Sequence, residues 1–107
     1  MNIILTSIDD YAKAKNMAKD LVELKLAACV QISAQGESIY QWQGKLCQDM
    51  EYYLSIKTTS TLKAKVFTWL ETNHPYDTPE IITFNAKTSE KYDAWLNRST
   101  TSKKASP

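Results

Sequence analysis

Histidine occurs once, and glycine and cysteine twice each, in these 107 residues. Each scarcity closes off a kind of chemistry. With only Gly36 and Gly44 there is no glycine-rich loop to wrap a phosphate. Cys29 and Cys47 show neither metal-ligand nor redox spacing, so they read as reduced thiols. Charge of either sign is not in excess: Lys+Arg is 13, Asp+Glu is 12 and the net charge is +1. A nucleic-acid binder shows a basic excess or stripe, and only Lys103 and Lys104 cluster here. Nothing favours an anionic membrane surface either. Long apolar runs are also missing. Ile3-Ile4-Leu5 falls short of the ~7–15 apolar residues of a signal peptide's core, so the expected compartment is the cytoplasm. No nucleophile stands beside a base, and no carboxylate pair is placed for acid–base work, so the expectation is not an enzyme.

What is present is regular patterning in a length that allows one domain. Asn2 to Ser7 reads as a buried strand. Asp9-Asp10 caps a helix over Tyr11–Lys25, with Ala14, Met17, Ala18, Leu21 and Val22 on its inner face. Ala27 to Ser33 is a second strand. Ala34-Gln35-Gly36 interrupts it as a bulge or bend, and Glu37 to Trp42 resumes it. Gln43-Gly44 is a turn, and Lys45 to Thr58 is a third strand. A second helix, capped near Ser60, turns Leu62, Val66, Phe67 and Leu70 inward and stops at His74-Pro75. Pro79 to Ala86 is a fourth strand. Thr88 or Ser89 opens a third helix carrying Tyr92, Trp95 and Leu96. The β-α-β-β-α-β-α order predicts an α+β, ferredoxin-like split βαβ fold. It has a four-stranded antiparallel sheet, a long hairpin and a C-terminal helix. Residues 1–98 form the domain, and the polar stretch 99–107 is expected to be a disordered tail.

The hairpin is too long for such a domain. Fourteen residues from Lys45 to Thr58 extend ~46 Å at ~3.3 Å each, against a radius of gyration of ~13 Å. The overhang carries Ile39, Tyr40, Trp42 and Leu46, which are costly to leave in water, along an unpaired sheet edge. Another copy packed against that edge removes both costs.

The segments LAAC, Y-x-W-x-G-K, IKT, HPY-x-x-PE and Y-x-x-W, in this order and spacing, resemble the CutA family of divalent-cation tolerance proteins. The resemblance spans Ile3 to about Asn97. It implies a ferredoxin-like homotrimer whose hairpins join neighbouring sheets, and a role in tolerance of copper and other divalent cations. Members ascribed a copper site carry a first-strand Cys and a His pair before Pro-Tyr. The matching positions here are Leu5 and Asn73-His74. The metal candidates are therefore His74, an imidazole suited to Cu(II), and Cys29, a soft ligand whose commoner fate is a buried small hydrophobe. Any bound Cu(II) or other divalent cation is expected to be weakly held. His74 also suits a plainer task, ending a helix with its ring bonded to a carbonyl. Tyr40, Trp42, Glu51, Lys57, His74, Tyr76 and Trp95 have the character of a small-molecule pocket. They equally suit interface packing with a Glu51–Lys57 surface pair. The rival function is a trimeric small-ligand sensor of the PII kind, using clefts between subunits. No heterologous partner is named by the sequence.

Overall fold

The computed structural model describes residues 1–101. The elements are β1 (Asn2–Ile8), α1 (Tyr11–Glu23), β2 (Cys29–Ile32), β3 (Gly36–Trp42), β4 (Lys45–Thr58), α2 (Lys63–Asn73), β5 (Ile82–Asn85) and α3 (Glu90–Thr100). The sheet runs β2-β4-β1-β5, all antiparallel, with β3 extending along the outer part of β4. This is the expected α+β sheet, with the second strand split in two.

The split has a simple register origin. Ile32 lies opposite Leu54, whereas Gly36 lies opposite Glu51. Residues 33–35 thus face residues 52–53, one extra residue on the β2–β3 side, which is a bulge. Ser33 anchors it: its N–H donates to the Tyr53 carbonyl at 2.9 Å, and its Oγ accepts from the Tyr53 N–H at 3.0 Å. The Tyr53 ring lies over Gly36 so closely that a Cβ there would sit 2.4 Å from Cε2. At the far end Gln43 (φ 51°) and Gly44 (φ 78°) both take left-handed backbone. That is the two-residue turn whose twist matches a hairpin.

Even-numbered residues of β1 and β4 point to one face. Ile4, Ile8, Leu54 and Ile56 are fully buried there against Ala14, Met17 and Leu21 of α1 and Val66 and Leu70 of α2. Each such side chain contributes ~1.5–3 kcal/mol. Asp10 caps α1, accepting from the Lys13 N–H at 3.0 Å. The helix ends with Leu26 N–H donating back to Leu21 and Lys25 in left-handed conformation (φ 61°).

Three readings of helix faces shift. Val22 is exposed, because α1 turns only Ala14, Met17 and Leu21 fully inward. On α2, Phe67 is exposed and Trp69 packs on the core in its place. On α3, Leu96 is buried while Trp95 is partly exposed. Two boundaries also shift. The strand expected from Pro79 begins at Ile82, where pairing with Leu5 starts; Pro79 has no N–H to offer a ladder. The tail expected from residue 99 is still helical at its start: α3 continues to Thr100, whose side chain is buried and donates to the Leu96 carbonyl at 3.0 Å. The rest of the expected tail, 102–107, lies outside the described residues.

The chain measures 56 × 28 × 23 Å with a radius of gyration of 15.1 Å. The long axis exists because β3 and the outer half of β4 project beyond the core, with Ile39 60% and Leu46 67% exposed.

Candidate functional site

A cleft of about 650 Å³ opens where the projecting hairpin meets the end of β1 and the segment after α2. Its floor is built by strand register. Ser7 pairs with Tyr53, so Ser7 and Glu51 are diagonal neighbours on the odd-numbered face, away from α1 and α2. Glu51 is only 7% exposed, and its Oε2 accepts two hydrogen bonds. One comes from Ser7 Oγ at 3.3 Å and the other from the Tyr76 hydroxyl at 2.8 Å.

His74 closes this arrangement into a ring. It is buried at the end of α2, where Pro75 stops the helix. Its Nδ1 accepts from the Tyr76 N–H at 3.1 Å, which leaves the ring proton on Nε2 to donate to the Ser7 carbonyl at 2.8 Å. The rings of His74 and Tyr76 meet edge to face with centroids 4.7 Å apart. Ser7, His74, Tyr76 and Glu51 therefore hold one another in a closed circuit. Burial, then the bond to Glu51, pushes the Tyr76 phenol well above the ordinary tyrosine range.

The outer wall comes from the hairpin. Tyr40 and Trp42 lie on the face of Asp49, and the Tyr40 hydroxyl donates to Asp49 Oδ2. That bond, followed by desolvation, pushes the Tyr40 phenol up to about 12. Asp9, Asp77 and Glu80 complete the rim.

Of the sequence-derived pocket residues, Tyr40, Trp42, Glu51 and Tyr76 come together here, with His74 beneath. Lys57 and Trp95 do not. Lys57 shares the face of Glu51, but six residues of strand place it ~20 Å along β4. There its Nζ lies 5.8 Å from the ring centroid of Tyr92 on α3, and Trp95 packs against the same ring at 5.4 Å. Lys57 thus gains a cation–π partner, and no Glu51–Lys57 pair forms. Cys29 pairs in register with Lys57 near that second group, also away from the cleft.

Sequence reasoning missed Ser7, Asp9, Asp49, Asp77 and Glu80. Strand alternation carried the signal for Asp49, two residues from Glu51. The other acids sit in connections whose folding back onto the hairpin has no local signature.

As metal donors these residues are poorly disposed. Both ring nitrogens of His74 are engaged within the chain. Among the described residues no three His, Cys, Asp or Glu side chains converge as a metal site would require. Nor is any helix among them long and apolar enough to cross a membrane.

Comparison with known proteins agrees with the fold. Residues 2–99 match the family model described as CutA1 divalent ion tolerance protein. The divalent-cation tolerance protein CutA of Yersinia pestis (strain Pestoides F) is 36% identical over 98 residues, 91% of this chain and 82% of the relative. The crystal structure of the divalent ion tolerance protein CutA1 from Ehrlichia chaffeensis superposes with a TM-score of 0.90 at 31% identity, covering 94% of each chain. A CutA from Archaeoglobus fulgidus, described as a periplasmic divalent cation tolerance protein, superposes with a TM-score of 0.88 at 30% identity over 94% of this chain and 98% of that one. A match running from the first strand through the last helix, with the same fold beneath it, makes this chain a member of the CutA1 divalent ion tolerance family.

Proposed function

We propose that this chain acts as a cytoplasmic homotrimer in the cellular response to divalent metal ions, copper among them, and that it is not an enzyme. The family match supports the role. The observation that carries the assembly is the projecting hairpin, where Ile39, Tyr40, Trp42 and Leu46 stand exposed on a two-stranded ribbon whose outer edges pair with no further strand among the described residues. Isolated chains avoid such edges, and a neighbouring sheet would cover this one. The compartment rests on Cys29 and Cys47, both free, which ten residues of strand hold ~33 Å apart measured from Lys57, the partner of Cys29. Light scattering at micromolar concentration tests the assembly, with an expected mass of three chains. A stable monomer there would remove it.

Direct metal binding in this reading is weak. Leu5 cannot coordinate, Asn73 already donates its side-chain amide to the Trp69 carbonyl, and either ring nitrogen of His74 would have to give up a hydrogen bond to ligate a metal. Calorimetry with Cu(II) is expected to give micromolar affinity or poorer, and His74→Ala to remove most of what is seen. A nanomolar site surviving in His74→Ala would overturn this account.

The cleft favours a second reading, a small-ligand sensor. Its volume falls within the ~300–1,000 Å³ of small-molecule pockets, and its floor is held rigid by the Ser7–His74–Tyr76–Glu51 circuit.

A further inference from the structure

The charge of the cleft is one-sided. Asp9, Asp49, Glu51, Asp77 and Glu80 line it, and among the described residues no lysine, arginine or histidine does. Five of the chain's 12 acidic residues thus open into one concavity of a molecule whose net charge is +1. Glu51 is the most demanding of them. It is more than nine-tenths buried, its Oε2 takes both hydroxyl donors, and its Oε1 receives no hydrogen bond among the described residues. A buried carboxylate without a counter-charge is costly, and the surrounding lining supplies none. The field of the cleft rejects phosphates and other anions. A bare metal ion is poorly served, since among the described residues no three ligating groups converge. The walls are aromatic instead: Tyr40, Trp42 and Tyr76. Carboxylates beside aromatic rings are the surroundings an organic cation prefers. The free lone pairs of Glu51 Oε1 further ask for N–H donors.

We propose that the cleft binds a small organic cation carrying N–H groups, a primary ammonium or guanidinium compound, with Glu51 Oε1 receiving it at the floor and Tyr40 and Trp42 flanking it. This rests on the reading of the cleft as a ligand site and gives that ligand its chemical class.

Calorimetry on the full chain tests it with agmatine, which carries both cations, alongside choline, which has no N–H, and ATP. Agmatine is expected to bind once per chain and to weaken as salt is added. Glu51→Gln keeps an oxygen for Ser7 and Tyr76 but removes the charge, and should weaken agmatine about tenfold or more. Trp42→Ala should also weaken it, in protein whose mass by light scattering matches that of the unsubstituted chain. Choline should bind less well than agmatine. Agmatine binding untouched by Glu51→Gln, or choline binding as tightly, would overturn the proposal. ATP binding with agmatine silent would overturn the charge assignment and leave the ligand-site reading standing. Silence from all three would overturn both, and a mass of three chains would then point to a neighbouring copy filling the cleft.

Discussion

Strand β4 passes through two environments. In its inner half Leu54, Ile56 and Thr58 are fully buried, flanked by β1 and β2 and covered by two helices. In its outer half Leu46 and Met50 are 67% and 47% exposed, and β3 is the only partner strand among the described residues. Backbone, strand type and hydrophobic alternation are the same in both halves. Alternation therefore marks which residues share a face, and it leaves open whether anything lies against that face. The inner half is explained by this chain alone, and the outer half makes physical sense when something covers it.

The largest expected effect tests the inner half. Ile56→Ala removes a fully buried side chain from between α1 and α2, and should cost about 2–5 kcal/mol in denaturant unfolding. A loss below 1 kcal/mol would mean the core can close over the gap. At the junction of the halves, Gly36→Ala drives a methyl group into the Tyr53 ring. It should cost about 1–3 kcal/mol, and a neutral result would show that the ring moves aside freely. Leu46→Ser addresses the outer half. In the isolated chain it should change stability by less than ~0.5 kcal/mol. In the proposed trimer it should shift dissociation to higher protein concentration, read in a dilution series by light scattering. An unchanged series would show the tip to be uncovered.

The smallest effect is on pH dependence. Tyr40, bonded to Asp49, ionises near pH 12 in the folded chain against about 10 when unfolded. The neutral phenol is the favoured form in the fold, so its contribution is complete below pH ~10 and fades as pH rises toward 12. Ultraviolet titration should show a late-ionising phenol that Asp49→Asn moves earlier. No change in Asp49→Asn would assign the shift elsewhere.

Much of the fold was legible in the residues. Asp10 before Tyr11, Gln43-Gly44 in the hairpin turn and Ala34-Gln35-Gly36 between two extended runs each mark a local backbone requirement. Ser89 at the head of α3 caps it as expected, accepting from the Tyr92 N–H at 3.2 Å. Less legible was which flank of an apolar stripe meets the core. Val22 and Phe67 border their stripes, and tertiary packing decided against both. The candidate site divided along the same line. Tyr40, Trp42, Glu51 and Tyr76 were found as a set, because aromatic and polar-tipped residues stand out within motifs. Lys57 and Trp95 lie apart from them within the chain, because strand alternation fixes a face and says nothing of distance along it. The acids of the rim escaped notice because scattered single carboxylates look like ordinary solvated surface.

The extra residue at 33–35 acts as a change of parity. Side chains on a strand follow an odd–even count, and inserting one residue swaps the two classes from there onward. Before it, odd-numbered Cys29 and Gln31 stand opposite odd-numbered Lys57 and Ser55. After it, even-numbered Ser38, Tyr40 and Trp42 stand opposite Asp49, Cys47 and Lys45. With equal counts on the two strands, Glu37, Ile39 and Gln41 would stand opposite Asp49, Cys47 and Lys45, and the phenol of Tyr40 would point away from Asp49. What the cleft presents to a ligand is therefore set by the length of a three-residue connection as well as by the side chains that follow it.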